Sequence, residues 1–354
     1  LFQTENSDVN ILSIPLRYIP IISPIMFSVA LLIFLPLYII VSNPDYIITD
    51  PDISIFGFAL VLPLSKLRRI RVVLDVRSTP VEIVGFQGFL RNFSFTTAIF
   101  IARKFFDGMT IITPTMKKEI CKKFNINPEG VGIWSSGVST VLFSLGHHYL
   151  EGAGLRKKHR LSKKFVVLYH GVFSANRGLT ETVEAMDVVR RTNPNMVFFL
   201  LGSGPLSCDL KDLIQRKKLQ NNVIIHDSVK HEEVPKYIAM SDVGILPLPN
   251  LPDWRHQCPL KLLEYLAMKR VVIITDIPAH RDVVGNKKCG IYISSNDPGE
   301  IADAMIYAYE NRVNLKKWGQ LGLKIIPKKY DWEKVANDLE NYLLSLQTSN
   351  TNSM

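Results

Sequence analysis

Phe165-Val166-Val167-Leu168-Tyr169-His170-Gly171-Val172-Phe173-Ser174-Ala175-Asn176-Arg177-Gly178-Leu179 changes character twice. A run of β-branched and aromatic residues stops at a glycine. A short loop follows, and Leu179 opens a stretch to Arg191 with helical spacing. An apolar run without polar alternation reads as a strand covered on both faces. Gly171 and Gly178 permit tight backbone. Arg177 stands just before a helix N-terminus, where a phosphate would meet a guanidinium and helix amides together. An ordinary strand–loop–helix turn with a surface arginine has the same spelling.

The alternation continues in both directions. Downstream, strands are expected at Val197–Leu201, Val223–His226, Val243–Leu246, Val271–Thr275 and Ile291–Ile293. Helices are expected at Ser207–Lys218, His231–Met240, Leu260–Met268 and Pro298–Asn311. Strands alternating with helices build a parallel, doubly wound sheet. Upstream, the runs Tyr46–Thr49, Val72–Val76, Met109–Thr113 and Val131–Trp134 predict a second domain of the same kind. The expected division is one Rossmann-like domain over 1–146, a basic linker over 147–164, and a second Rossmann-like domain over 165–330. A helix over 331–346 and a disordered tail over 347–354 complete it.

The chain has 354 residues, enough for two or three domains. Its 47% hydrophobic content excludes a largely disordered chain. A formal charge of +10 favours anionic partners without choosing among nucleotides, nucleic acid and lipid. The basic residues lack interleaved aromatics and no nucleic-acid module is spelled, so nucleic acid is not an expected partner. Cys121, Cys208, Cys258 and Cys289 are scattered, as free thiols in a reducing, cytoplasmic compartment would be.

Tyr18 to Val41 carries no charged side chain, and its length suits a transmembrane helix. Pro20, Pro24 and Pro36 oppose that reading, because lipid does not replace the backbone bond a helix-interior proline removes. No Lys or Arg follows until Lys66. The segment is therefore expected as a half-buried helix from Pro24 to about Val41, lying over a sheet and able to touch a membrane with an apolar face. Residues 1–18 show no signal-peptide pattern.

A second chemical element is Pro259-Leu260-Lys261-Leu262-Leu263-Glu264-Tyr265-Leu266-Ala267. Pro259 fits a helix start, and Lys261 and Glu264 share a face. A lysine near a helix N-terminus is electrostatically misplaced unless an anion lies nearby. Glu264 has the chemistry to accept bonds from ribose hydroxyls; an internal Lys–Glu pair on a surface helix is the plainer alternative. Leu201-Gly202-Ser203-Gly204-Pro205 falls short of a dinucleotide fingerprint. Asp50-Pro51-Asp52 and the eight histidines offer no convincing metal site, so no metal and no cofactor are expected.

Together these segments resemble the family-4 retaining glycosyltransferases of GT-B architecture, from about Tyr46 to Trp332. Ser136-Gly137-Val138-Ser139 with Phe143 resembles the segment closing that family's first domain. His170-Gly171 through Leu179 resembles its phosphate-binding turn. Cys258 through Glu264, then Val271–Asp276, is similar to its most specific stretch, and Asp75-Val76-Arg77-Ser78-Thr79-Pro80 to a segment of members that build surface glycans. The resemblance implies an α/β fold of two Rossmann-like parallel-sheet domains facing a cleft. It implies that Arg177 and Lys261 hold the donor diphosphate and Glu264 the ribose. Gly171, backbone near Leu260 and Leu262, and His256 would face the donor, and Arg77 the acceptor side. Three departures stand out. His256 occupies a position where the family often has Glu, Val172 replaces a common basic residue, and the first strand with its Gly-rich loop is not visible in residues 1–45, as in a truncated N-terminal domain.

The resemblance implies sugar transfer from a nucleotide-diphosphate sugar to a lipid-linked or surface-glycan hydroxyl, with retention and without metal. The enzyme would sit in the cytoplasm, peripheral at the inner face of an anionic membrane. Two rivals share the architecture: a nucleotide-sugar epimerase, and a non-catalytic nucleotide-sugar-binding partner.

Overall fold

The computed structural model describes residues 2–3, 10–11, 22–58, 61–80 and 85–348. The chain divides into two compact units. One comprises Leu1–Ile111, Lys117–Gly132 and Asn341–Met354; the other comprises Ile112–Met116 and Ile133–Glu340.

The first unit holds a four-stranded sheet, β1 (Tyr46–Thr49), β2 (Arg71–Val76), β3 (Gly108–Ile111) and β4 (Val131–Ile133), in sequential order. β1, β2 and β3 pair in parallel. Four helices accompany it: α1 (Ile22–Ser42), α2 (Val61–Leu67), α3 (Gly85–Phe105) and α4 (Pro114–Phe124). Ile39 of α1 joins Phe58, Val61, Ile70 and Val72 in a buried cluster, with Leu31 and Leu35 packed on it. α1 packs through Leu31, Leu35 and Ile39 onto this cluster while most of its other side chains are exposed, so it is less buried than the half-buried helix expected from Pro24 to about Val41. Phe2–Gln3 pairs antiparallel with Asn10–Ile11. Residues 4–9 and 12–21, within the region where the first strand and glycine loop were sought, lie outside the described residues.

The second unit contains β5 (Phe165–His170), β6 (Met196–Leu201), β7 (Val223–His226), β8 (Val243–Leu246), β9 (Val271–Thr275) and β10 (Gly290–Ile293). Their order is β10-β9-β8-β5-β6-β7, with every pairing parallel. β5, β6, β8 and β9 are buried along their whole length, as the uninterrupted apolar runs require. The helices are α5 (Leu145–Lys158), α6 (Leu179–Thr192), α7 (Ser207–Arg216), α8 (Val234–Met240), α9 (Leu260–Ala267), α10 (Pro278–Val284), α11 (Pro298–Glu310), α12 (Arg312–Gly319) and α13 (Ile326–Lys329); α14 (Trp332–Thr348) begins in this unit and from Asn341 onward belongs to the first.

The basic stretch expected as a linker over 147–164 is instead helical through Lys158. Gly152 explains the difference. A Cβ there would stand 2.8 Å from Ala239 Cβ and Met240 N, so the glycine lets α5 lie against α8. Arg156 then reaches back to Met240 O at 2.8 Å and to the Asp242 carboxylate at 3.2 Å. It anchors the helix rather than facing solvent. Gln347 and Thr348 are helical, and the rest of the expected tail lies outside the described residues.

Gly244 in β8 shows how tightly the sheet is covered. A Cβ there would stand 2.7 Å from the Tyr265 ring. That ring is fully buried, and its hydroxyl donates to Leu168 O at 2.7 Å. Gly244→Ala is expected to destabilise the second unit by about 1–3 kcal/mol through overpacking, read as a lower urea midpoint by far-UV circular dichroism.

Candidate functional site

The second sheet reverses direction once. From β5 the chain winds outward to β6 and β7, then returns to β8 on the other side of β5 and winds through β9 to β10. Loops leaving the carboxyl ends of two such central strands diverge and leave a crevice there. The loop after β5 carries Gly171 and Arg177. The loop after β8 carries Trp254 and His256 and leads into α9, with Lys261 and Glu264.

Lys261 is the centre of this arrangement. Gly171 has φ +121°, and a Cβ on it would stand 2.4 Å from Lys261 Cε. The lysine thus lies across the space that a side chain at 171 would fill. Its Nζ is 3.4 Å from the Tyr169 hydroxyl and 5.0 Å from the centre of that ring. Tyr169 is fully buried and donates to Val172 O at 3.1 Å. Burial pushes the Lys261 ammonium down to about 8; the Arg177 charge adds to the fall and Glu264 opposes it.

Glu264, one turn further along α9, is buried. Burial pushes its carboxyl up to about 7, with Lys261 opposing. Its Oε2 is 3.3 Å from His170 Nε2, without an aligned hydrogen bond, and its Oε1 is 4.0 Å from His231 Nε2. Burial drives the His170 imidazole down to about 3, reinforced by Lys261 and His231, so it stays neutral at physiological pH.

Arg177 stacks its guanidinium on the Trp254 ring, 4.3 Å from Cζ to the ring centre, with Nε 3.5 Å from Ser174 Oγ. Gly178 next to it has φ +69°, and a Cβ there would stand 1.9 Å from Pro247 O. The loops after β5 and β8 therefore touch through a position only glycine can fill. α6 begins at this glycine and α9 at Pro259, both without a side-chain cap. Cations and open helix ends together form a setting for a multiply charged anion.

Lys261 is thus within electrostatic reach of both Arg177 and Glu264, with Gly171 beneath it. Leu260 is 47% exposed, whereas the Leu262 side chain is buried in the core, which leaves only its backbone for a ligand. His256 is buried, and its carbonyl accepts from Thr113 Oγ1 at 3.0 Å. Arg77 belongs to the first unit, with Nε 3.9 Å from Asp75 Oδ2. Asp75 also accepts from Thr110 Oγ1 at 2.7 Å, and burial lifts its carboxyl to about 6. Sequence reasoning missed Tyr169, Trp254 and His231 as parts of the site. Tyr169 had a local signal, standing two residues before Gly171. Trp254 and His231 had none, because the fold alone brings them to Arg177 and Glu264. Among the described residues, no group of three or more His, Cys, Asp and Glu is arranged to hold a metal ion. A cavity of about 500 Å³ lies elsewhere, beside β10 and lined by Lys288, Asp303, Tyr307 and Trp318.

Residues 154–324, which contain the whole of this site, match the family described as glycosyl transferases group 1. The chain is 27% identical over 153 residues to alpha-D-kanosaminyltransferase of Streptomyces kanamyceticus, covering 43% of this chain and 38% of that protein. It is 23% identical over 193 residues to the GDP-mannose-dependent alpha-(1-6)-phosphatidylinositol monomannoside mannosyltransferase of Mycobacterium tuberculosis, covering 54% of this chain and 50% of that one. The chain thus spans about half or less of these two relatives. In fold it is similar to Anabaena HepE, whose crystal structure is a complex with UDP: the TM-score is 0.75 at 14% identity, over 89% of this chain and 82% of that one. The two-sheet α/β architecture is GT-B.

The proton affinity of Lys261, lowered by burial, is one that a neighbouring anion would raise. A bound diphosphate raises the lysine's proton affinity, so binding is strongest while Lys261 is already charged and weakens as pH rises through about 8. Isothermal titration of nucleoside diphosphates is expected to show affinity falling above that pH, with proton uptake on binding. Lys261→Met should bind roughly tenfold or more weakly and lose this pH dependence. Gly171→Ala, which evicts the lysine, should reproduce both effects.

Proposed function

We propose, from a second unit that carries the glycosyl transferases group 1 pattern, that this chain moves a sugar from a nucleoside-diphosphate sugar to an acceptor hydroxyl. The convergence of Arg177, Lys261 and Glu264 at the sheet's switch point carries the reading. In the reaction, the bond between the anomeric carbon and the diphosphate oxygen breaks, and its electron pair leaves with the diphosphate. The acceptor oxygen bonds the same carbon on the same face, with retention, and its proton passes to the departing diphosphate oxygen. Arg177 and Lys261 supply the positive charge that stabilises the departing diphosphate, helped by the open N-termini of α6 and α9. No metal is required where two cations and two helix ends serve this role.

Glu264 accepts from the ribose hydroxyls, and backbone at Gly171, Leu260 and Leu262 borders the donor. His256 contacts the donor sugar, and Arg77 serves the acceptor side. The acceptor is lipid-linked or a growing surface glycan, reached from the cytoplasmic face of an anionic membrane. Two observations support that part: the exposed apolar helix α1, and the phosphatidylinositol-based acceptor in one relative's name. Val172 and His256, where the resembled family has other residue types, favour a second reading as a binding partner without transfer.

Arg177→Ala is expected to lower turnover by on the order of 10²-fold, the effect of losing one charge-stabilising donor. Transfer would be measured with a panel of nucleoside-diphosphate hexoses and a detergent-dispersed glycolipid acceptor. Unchanged turnover would refute the role. Donor binding by the wild-type chain without transfer would favour the second reading.

A further inference from the structure

The first unit exposes two apolar ridges. On α3, Phe95, Ala98, Ile99 and Ala102 face inward, while Phe86, Phe89, Phe93 and Phe100 are 66%, 60%, 51% and 61% exposed. At 3.6 residues per turn these four phenylalanines fall within about 60° of arc, opposite the buried face. Phe89 and Phe93 stack at 6.3 Å. On α1, Ser28 and Ile39 are buried and Leu31 and Leu35 half-buried. Ile33, Phe34, Leu37 and Tyr38 are each more than half exposed. Both helices pack on the 3₁₀ turn Ile53–Phe58. Single exposed apolar residues are ordinary, but contiguous ridges are interaction surfaces.

The charge around them is mainly basic, although Asp45, Asp50 and Asp52 lie in the segment that joins α1 to the turn. Residues 22–42, 61–70 and 85–105 hold Lys66, Arg68, Arg69, Arg91, Arg103 and Lys104 and no acidic residue. Phenylalanine ridges flanked by an excess of cations match a bilayer with anionic headgroups better than they match a protein groove.

The packing of α1 decides how the bilayer is met. The helix is long and apolar enough to cross a membrane. Its inner face, however, closes the cluster of Phe58, Val61, Ile70 and Val72. A Cβ on Gly57 would stand 2.8 Å from both Leu31 Cβ and Ser28 O, so helix and turn are in backbone-close contact. Crossing the bilayer would strip α1 from this cluster and expose it.

We infer that the first unit docks on anionic membrane in one leaflet, with α1 lying in the membrane plane and the phenylalanine ridge of α3 inserted beside it. This deepens the membrane-side reading above and rests on it. The test is flotation of the full-length chain with phosphatidylglycerol–phosphatidylcholine vesicles. The triple variant F86S/F89S/F93S, its fold checked by circular dichroism, is expected to bind about tenfold or more weakly, with nucleotide binding unchanged. High salt should weaken wild-type binding. Equal binding by the variant would overturn the proposal. So would vesicle-free oligomers that the variant abolishes, since they would assign the ridge to a second copy of the chain.

A labelling experiment separates lying from crossing. In a Cys208→Ser background, Ile22→Cys and Ser42→Cys should react equally with a membrane-impermeant maleimide added outside sealed vesicles. Protection of one end alone would mean that α1 spans. Intact transfer without vesicle binding would sink this inference alone, and vesicle binding without transfer would sink only the enzymatic reading.

Discussion

A half-buried lysine beside a buried carboxylate is the constraint around which the second unit's site is built. Neither group is at ease: burial lowers the proton affinity of Lys261 and raises that of Glu264, and each charge only partly offsets the other's desolvation. Such a pair is a poor device for stability, because well-packed apolar residues would serve at least as well. It makes sense as a site waiting for an anion. Lys261 can lie where it does only because residue 171 has no side chain, and Tyr169 beneath offers it a hydroxyl and a ring face.

The same economy of volume runs through the neighbouring loops. A Cβ on Gly178 would strike Pro247 O, and one on Gly202 would strike Gly171 O, both at 1.9 Å. The loops after β5, β6 and β8 are therefore in backbone contact near the switch point. Polar groups placed on interlocked loops hold their geometry more firmly than groups on free ones, as charge stabilisation without reorganisation requires. Trp254 extends this support by giving the Arg177 guanidinium a flat surface. Positional control of both cations thus comes from residues that carry no charge themselves.

The two units expose different chemistry. The second collects buried titratable groups at one end of its sheet. The first collects apolar helix faces fringed mainly by basic residues. Its helices are apolar for two reasons at once: inward to close the cluster over the sheet, and outward with no core to justify it. That second fact separates α1 from an ordinary layer helix.

The amino-acid order by itself determined the alternation of strands and helices. A fully buried strand must be apolar throughout, so Val243–Leu246 and Val271–Thr275 could be read to the residue. It also marked Gly171, Arg177, Lys261 and Glu264, because glycine before a loop and lysine at a helix start are locally odd choices. It misjudged residues 147–164, since six basic residues against one acid look like a solvated linker until α8 is seen packed against Gly152. Only tertiary structure placed β8 beside β5, and with that step set Trp254 under Arg177 and His231 near Glu264. Those partners lie tens of residues apart in the chain. Strand order depends on which buried faces fit together, and no local periodicity encodes it.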